Sequence, residues 1–254
     1  MQGEKEARIS RIRTAMAKEG LDGLLAFAPG WRKENVRYLT ASVLRGSFAL
    51  AYLPAVGEPA AFAFAPQDLQ EIREKGWVSD VRPLSFPDCG ELVSRLREGG
   101  APGKLGIAHL ELMPRVLLEA IRRALPGTEI VSATKMMDRI RLVKSEWELE
   151  QLRRAGHICS QAWQAFLDVM KPGVREYEIV AAVEAEIKRL GAQDNFMLIA
   201  SGGTEVRGMT PPGNRQLQPG DMVRTELTPQ LNGYWLQICR SAVLGEPSEG
   251  QKRS

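Results

Sequence analysis

Apolar positions recur every three or four residues over 5–19, where Ile9, Ile12, Ala15 and Met16 share one helical face and Gly20 closes the run. The texture changes at LDGLLAFAP (21–29), a short run, mostly apolar, that ends at Pro-Gly and predicts a buried strand. SFALAYLP and PAAFAFAP are two further apolar runs joined by AVGE, the pattern of a hairpin or of neighbouring strands. A helix is expected at about 67–75, a strand near 80–84, a helix near 89–98 and a strand at KLGIAHL. MPRVLLEAIRRALPG then reads as a helix with Val116, Leu117, Ala120, Ile121 and Leu125 on its apolar positions. Residues 1–140 therefore predict a mixed α/β domain.

A different pattern occupies 141–254. Ser145-Glu-Trp-Glu148 has the S-x-x-E spacing of a capping box, and the helix behind it carries Leu152, Ala155, Cys159, Trp163, Phe166 and Met170 as one stripe. KPGV stops that helix. A second helix, about 175–190, places Tyr177, Val180, Val183, Ile187 and Leu190 on one face. NFMLIASGG predicts a strand ending in a glycine turn, and RGMTPPGNRQLQPGD a proline-rich loop. DMVRTELTPQLNGYWLQICRSAVLG predicts two strands around Asn232-Gly233.

Composition narrows the function. With 44% hydrophobic residues the 254-residue chain can bury a real core. No apolar run is long enough to span a bilayer, and no signal-peptide core follows the charged start, so a cytoplasmic protein is expected. Basic and acidic residues number 34 and 31. They divide as 20 and 17 over 1–140 and 14 of each over 141–254, without the one-sided excess that nucleic-acid backbones select. Cys89, Cys159 and Cys239 are scattered and form neither a disulfide framework nor a CxxC pair. Only His109 and His157 are available for imidazole chemistry, and a structural role is the simplest reading of each.

The hairpin carries the informative chemistry. Pairing centred between Leu231 and Asn232 sets residues 226 and 237 directly opposite, whereas a two-residue turn at Asn232-Gly233 sets them diagonally. Either register leaves them on one face within mutual reach. Two carboxylates so placed would chelate a pair of cations, but the residues present are Glu226 and Gln237.

Several segments agree in order and spacing with the pita-bread family of creatinase, aminopeptidase P, prolidase and methionine aminopeptidase (peptidase family M24). RLVKSEWELEQLRRAGHI resembles the linker and first helix of its catalytic domain, and KPGVREYEIVAAVEAEIKRLGA the second helix. LIASGG and LQPGDMVRTELTPQLNGYWLQICRSAVLGEPS resemble the strands that bear the first metal ligands. The resemblance implies an α/β creatinase-like N-terminal domain over 1–140 and the first half of an α+β pita-bread catalytic domain over 141–254. The chain ends soon after the first hairpin, whereas members of this family continue. A half sheet exposes an edge and an apolar face that a second copy or a further segment should cover.

The resemblance departs at the residues that matter. Family peptidases carry Asp where this chain has Glu226 and Gln237, and a substrate-contacting His where it has Met209. A neutral amide is a poor ligand for a hard dication. Creatinase resembles this chain in fold, works without metal and carries Glu at the position matching Glu226. The expectation is a hydrolase-family protein acting on a small C–N-bond-containing substrate without the standard dinuclear metal site and with no cofactor, this chain alone being inactive. Glu226 would bind a cationic group or act as base, and Gln237 would orient substrate. Met209, Tyr234, Arg240 and Arg45 are further candidates for substrate contact, Arg45 by reaching a partner subunit's pocket in a homodimer. The alternatives are a metal-dependent Xaa-Pro aminopeptidase or dipeptidase, with Glu226 as one ligand of Mn, Zn or Co, and a non-catalytic binding module. The bland reading of Glu226 is an ion pair with Arg224 or Arg240. Nucleic acid and membrane are not expected as partners.

Overall fold

The computed structural model describes residues 2–203, 206 and 208–253, and the chain divides into two compact units, Met1–Ser145 and Glu146–Ser254. Among the described residues no helix is long and apolar enough to cross a membrane.

In the first unit, α1 (Gln2–Glu19) precedes β1 (Gly23–Pro29), α2 (Glu34–Thr40), β2 (Phe48–Pro54), β3 (Ala60–Ala63) and α3 (Pro66–Lys75). Then come β4 (Asp80–Pro83), α4 (Gly90–Arg97), β5 (Lys104–Ala108), α5 (Arg115–Ala124), β6 (Glu129–Ser132) and α6 (Thr134–Leu142). The strands form one mixed sheet in the order β4-β3-β2-β1-β5-β6. Its β1–β2 and β2–β3 pairs are antiparallel, and its β1–β5, β3–β4 and β5–β6 pairs are parallel.

The unbroken apolar run of β1 has a simple cause, which is that helices cover both faces of the sheet. Leu24, Ala26 and Ala28 pack with Ile12, Val36, Ile72 and Met137 on one side. Leu25 and Phe27 pack with Leu92, Leu96, Leu117 and Ile121 on the other. Gly23 is required where it stands, because a Cβ there would meet the Tyr52 ring at 2.8 Å. The pattern did not reveal α2, β6 or α6. Strand β6 has four residues and is a half-exposed edge, too short and too lightly buried to leave a period.

The second unit contains α7 (Glu146–Val169), α8 (Glu176–Arg189), β7 (Asp194–Gly202), β8 (Met222–Leu231), β9 (Tyr234–Trp235) and β10 (Ile238–Val243). The sheet order is β10-β8-β7, with β9 continuing the hairpin beside β8, and all pairs are antiparallel. Alternation along β8 turns Val223, Leu227 and Leu231 toward the helices, where they join Ala155, Ile158, Phe166, Val183 and Ile187. Arg224, Glu226, Thr228 and Gln230 of β8 face the other way and are half-buried.

Two helix faces differ from the periodicity. Glu148 and Gln151 are buried in α7, because the Tyr234 hydroxyl donates to Glu148 Oε1 at 2.9 Å and the Asn232 amide to Gln151 Oε1 at 2.8 Å. In α8, Glu176 and Ile179 are buried while Tyr177 is 46% exposed. The buried carboxylate accepts from the Ser201 hydroxyl at 2.6 Å and from the Gly213 N–H at 2.9 Å, and so fastens the proline-rich segment beside β7.

Candidate functional site

Asn232 and Gly233 have φ of 50° and 77°, the left-handed pair of a two-residue hairpin turn. The register follows: Leu231 pairs with Tyr234, Leu227 with Ile238 and Glu226 with Cys239. Glu226 and Gln237 therefore stand diagonally, the second of the two registers the sequence permits. Their side chains meet, Gln237 Nε2 donating to Glu226 Oε2 at 2.6 Å. Among the described residues Glu226 has no ion pair with Arg224 or Arg240. Arg224 instead donates to Ser241 Oγ at 3.4 Å, and Arg240 to the Cys239 carbonyl at 2.9 Å.

Glu226 is flanked in its rung by Leu198 of β7 and Cys239 of β10. Continuing the register sets Thr228 opposite Gln237. The Thr228 hydroxyl oxygen is buried and without a hydrogen-bond partner among the described residues, while its N–H donates to Asn195 Oδ1. Thr210 bridges to Ile199, so alternation puts Met209 on the same face as Ala200, hence as Arg224 and Glu226. Thr228 and Cys239 were not singled out from the sequence, although the period of two that selects Glu226 also selects them once the register is known.

The other candidates lie elsewhere. Tyr234 is buried on the helix side, with its hydroxyl on Glu148 and its ring 5.8 Å from Trp147. Arg240 pairs with Thr225, whose side chain is on the helix side, so it does not share the face of Glu226. Arg45 belongs to the first unit. It is exposed, and its N–H and that of Gly46 both donate to the buried Asp68 carboxylate at 2.8 Å.

The arrangement is rich in acceptors. One amide proton of Gln237 is committed to Glu226, leaving the Gln237 carbonyl, the second carboxylate oxygen and the Thr228 hydroxyl to receive protons. Such a face suits a guanidinium or ammonium group. For a pair of hard dications it offers one carboxylate and a neutral amide in place of two carboxylates, a weaker donor set. Among the described residues no three His, Cys, Asp or Glu side chains cluster as a metal site.

Burial separates the remaining titratable groups. Desolvation pushes the Cys159 thiol up to about 11, so it is inert at neutral pH. His109, placed as structural by the sequence, is fully buried just past β5, its Nδ1 2.9 Å from the Phe27 carbonyl. His157 is exposed on α7.

Residues 150–254 match metallopeptidase family M24, and residues 8–143 match the creatinase/prolidase N-terminal domain. The chain is 25% identical over 256 residues to the uncharacterized peptidase YqhT of Bacillus subtilis (strain 168), covering 96% of this chain and 67% of that protein. It is 26% identical over 254 residues to the Xaa-Pro dipeptidase of Pyrococcus horikoshii, covering 96% of this chain and 66% of the relative. In fold it is similar to the X-Pro aminopeptidase of Thermotoga maritima MSB8, with a TM-score of 0.82 at 20% identity, covering 96% of this chain and 67% of that one. The chain thus spans about two-thirds of the length of these relatives. With a creatinase-like α/β unit followed by part of the pita-bread catalytic domain, this chain belongs to metallopeptidase family M24.

Proposed function

We propose that this chain is a divergent hydrolase-family protein that takes a small C–N-bond-containing substrate on the open face of β8 and β10, without the standard dinuclear metal site. The observation that carries the reading is the 2.6 Å hydrogen bond from Gln237 to Glu226, which puts an amide donor where a second carboxylate would be needed. Glu226 holds a cationic group of the substrate by charge-assisted hydrogen bonds. The Gln237 carbonyl and the Thr228 hydroxyl orient it, and Met209 packs against its apolar part. The protein works as a homodimer, with Arg45 available to a second copy.

Titration with benzamidine and with glycyl-proline, followed by amide NMR, tests the reading. Resonances of Leu198, Gln237 and Cys239 should shift, and Glu226→Gln should abolish the effect. The second reading is a metal-dependent Xaa-Pro peptidase, favoured by the likeness to the Xaa-Pro dipeptidase of Pyrococcus horikoshii. Stoichiometric, tight Mn2+ or Zn2+ binding that disappears in Glu226→Gln would replace the first reading with the second. Failure of every small ligand, with a protein partner bound to this face instead, would make the chain a binding module.

A further inference from the structure

On the helix side of the second unit, away from Glu226, Glu150, Arg153, Arg154, His157, Ile158, Leu190 and Leu231 line an open groove of about 410 Å3. Such a volume is enough for a small organic ligand. Ile158 of α7, Leu190 at the end of α8 and Leu231 at the end of β8 supply an apolar floor. Helical spacing sets Glu150, Arg153, Arg154 and His157 along one wall.

The charges on that wall are unequal in their engagements. Arg153 lies 3.6 Å from Glu146 and 3.7 Å from Glu150, so its guanidinium and the one acidic group of the wall are already associated. Arg154 and His157 have no hydrogen-bond or ion-pair partner among the described residues. Two unanswered nitrogen donors therefore stand over an apolar floor, a polarity that complements an anionic head on an aliphatic tail. A cationic ligand would meet Arg154 unshielded, and a purely polar anion would leave the floor wet.

We propose that this groove binds a small aliphatic monocarboxylate, its carboxylate on Arg154 and His157 and its tail on Ile158, Leu190 and Leu231. Octanoate is the probe, titrated into methyl-labelled protein with octylamine as the cation of matched tail. Octanoate should shift the methyl resonances of Ile158, Leu190 and Leu231 saturably, and octylamine should leave them in place. Arg154→Gln should weaken octanoate binding roughly tenfold, the size of a lost charged hydrogen bond. Arg153→Gln, which removes an arginine already engaged with acids, should change it far less. Both side chains are exposed, so both variants keep the fold. Equal shifts with octylamine, shifts confined to Leu198 and Ala200 on the open face, or unchanged affinity in Arg154→Gln would each overturn the proposal. Glu226→Gln serves as a control, since it disables the face assigned to substrate and should leave the octanoate response intact.

Discussion

Replacing Glu34 by Gln should remove a pH-dependent part of the stability of the first unit. Glu34 begins α2 and lies beside the fully buried His109, its Oε1 3.6 Å from His109 Nε2 and 2.7 Å from Arg32 Nε. Burial pushes its carboxyl upward. The contacts with His109, its own backbone N–H, Arg32 and the more distant Arg141 outweigh that, and the group falls from 4.5 to about 2. A carboxyl held low in the folded state contributes stability that is complete above its unfolded pKa near 4.5 and is lost as pH falls through about 2. The full linkage is about 3–4 kcal/mol, at ~1.4 kcal/mol for each pKa unit. The Glu34 side chain is 17% exposed, and solvent screening reduces the expectation to about 2 kcal/mol. Urea unfolding followed by tryptophan fluorescence at pH 7, 5 and 3.5 measures it. Glu34→Gln should be less stable than the parent by about 2 kcal/mol at pH 7, with the gap narrowing below pH 4.5. A gap of constant size across this range would mean that the side chain acts by packing, and the electrostatic argument would be refuted.

Gln237→Asp should convert an amide–carboxylate pair 2.6 Å apart into two carboxylates, and calorimetry should then show Mn2+ binding tighter than the parent's. Tyr234→Phe should cost about 1–3 kcal/mol in chemical denaturation, because it strips a buried donor from Glu148, yet leave benzamidine binding unchanged since the ring lies on the helix side. Glu176→Ala should release the segment around Gly213, read as faster hydrogen exchange at the Gly213 amide and a loss of about 2 kcal/mol in denaturation.

Much was legible in the linear pattern, for reasons that are local. The runs that became β1, β2 and β3 are apolar because they are buried on both faces, and the α7 stripe from Ala155 to Phe166 records one helix face against one core. Asn232-Gly233 demanded positive φ at two successive positions, so the hairpin was written in two residues. That turn, with the period of two, was enough to bring Glu226 and Gln237 to one face.

What tertiary structure alone decided concerns polar groups whose partners are far away in sequence. Glu148 reads as a cap residue, but it is buried because Tyr234, 86 residues later, needs an acceptor. Tyr177 looks core-facing, but α8 is rotated so that Glu176 reaches the Gly213 amide. Arg240 and Glu226 look like neighbours in the hairpin, yet the register separates them across the sheet, and the same register brings Cys239 beside Glu226 and sets Thr228 opposite Gln237. Hydrophobic burial is a property of each residue and leaves a period in the chain. Satisfying a buried polar atom is a property of a pair, and it becomes visible only when folding has brought the pair together.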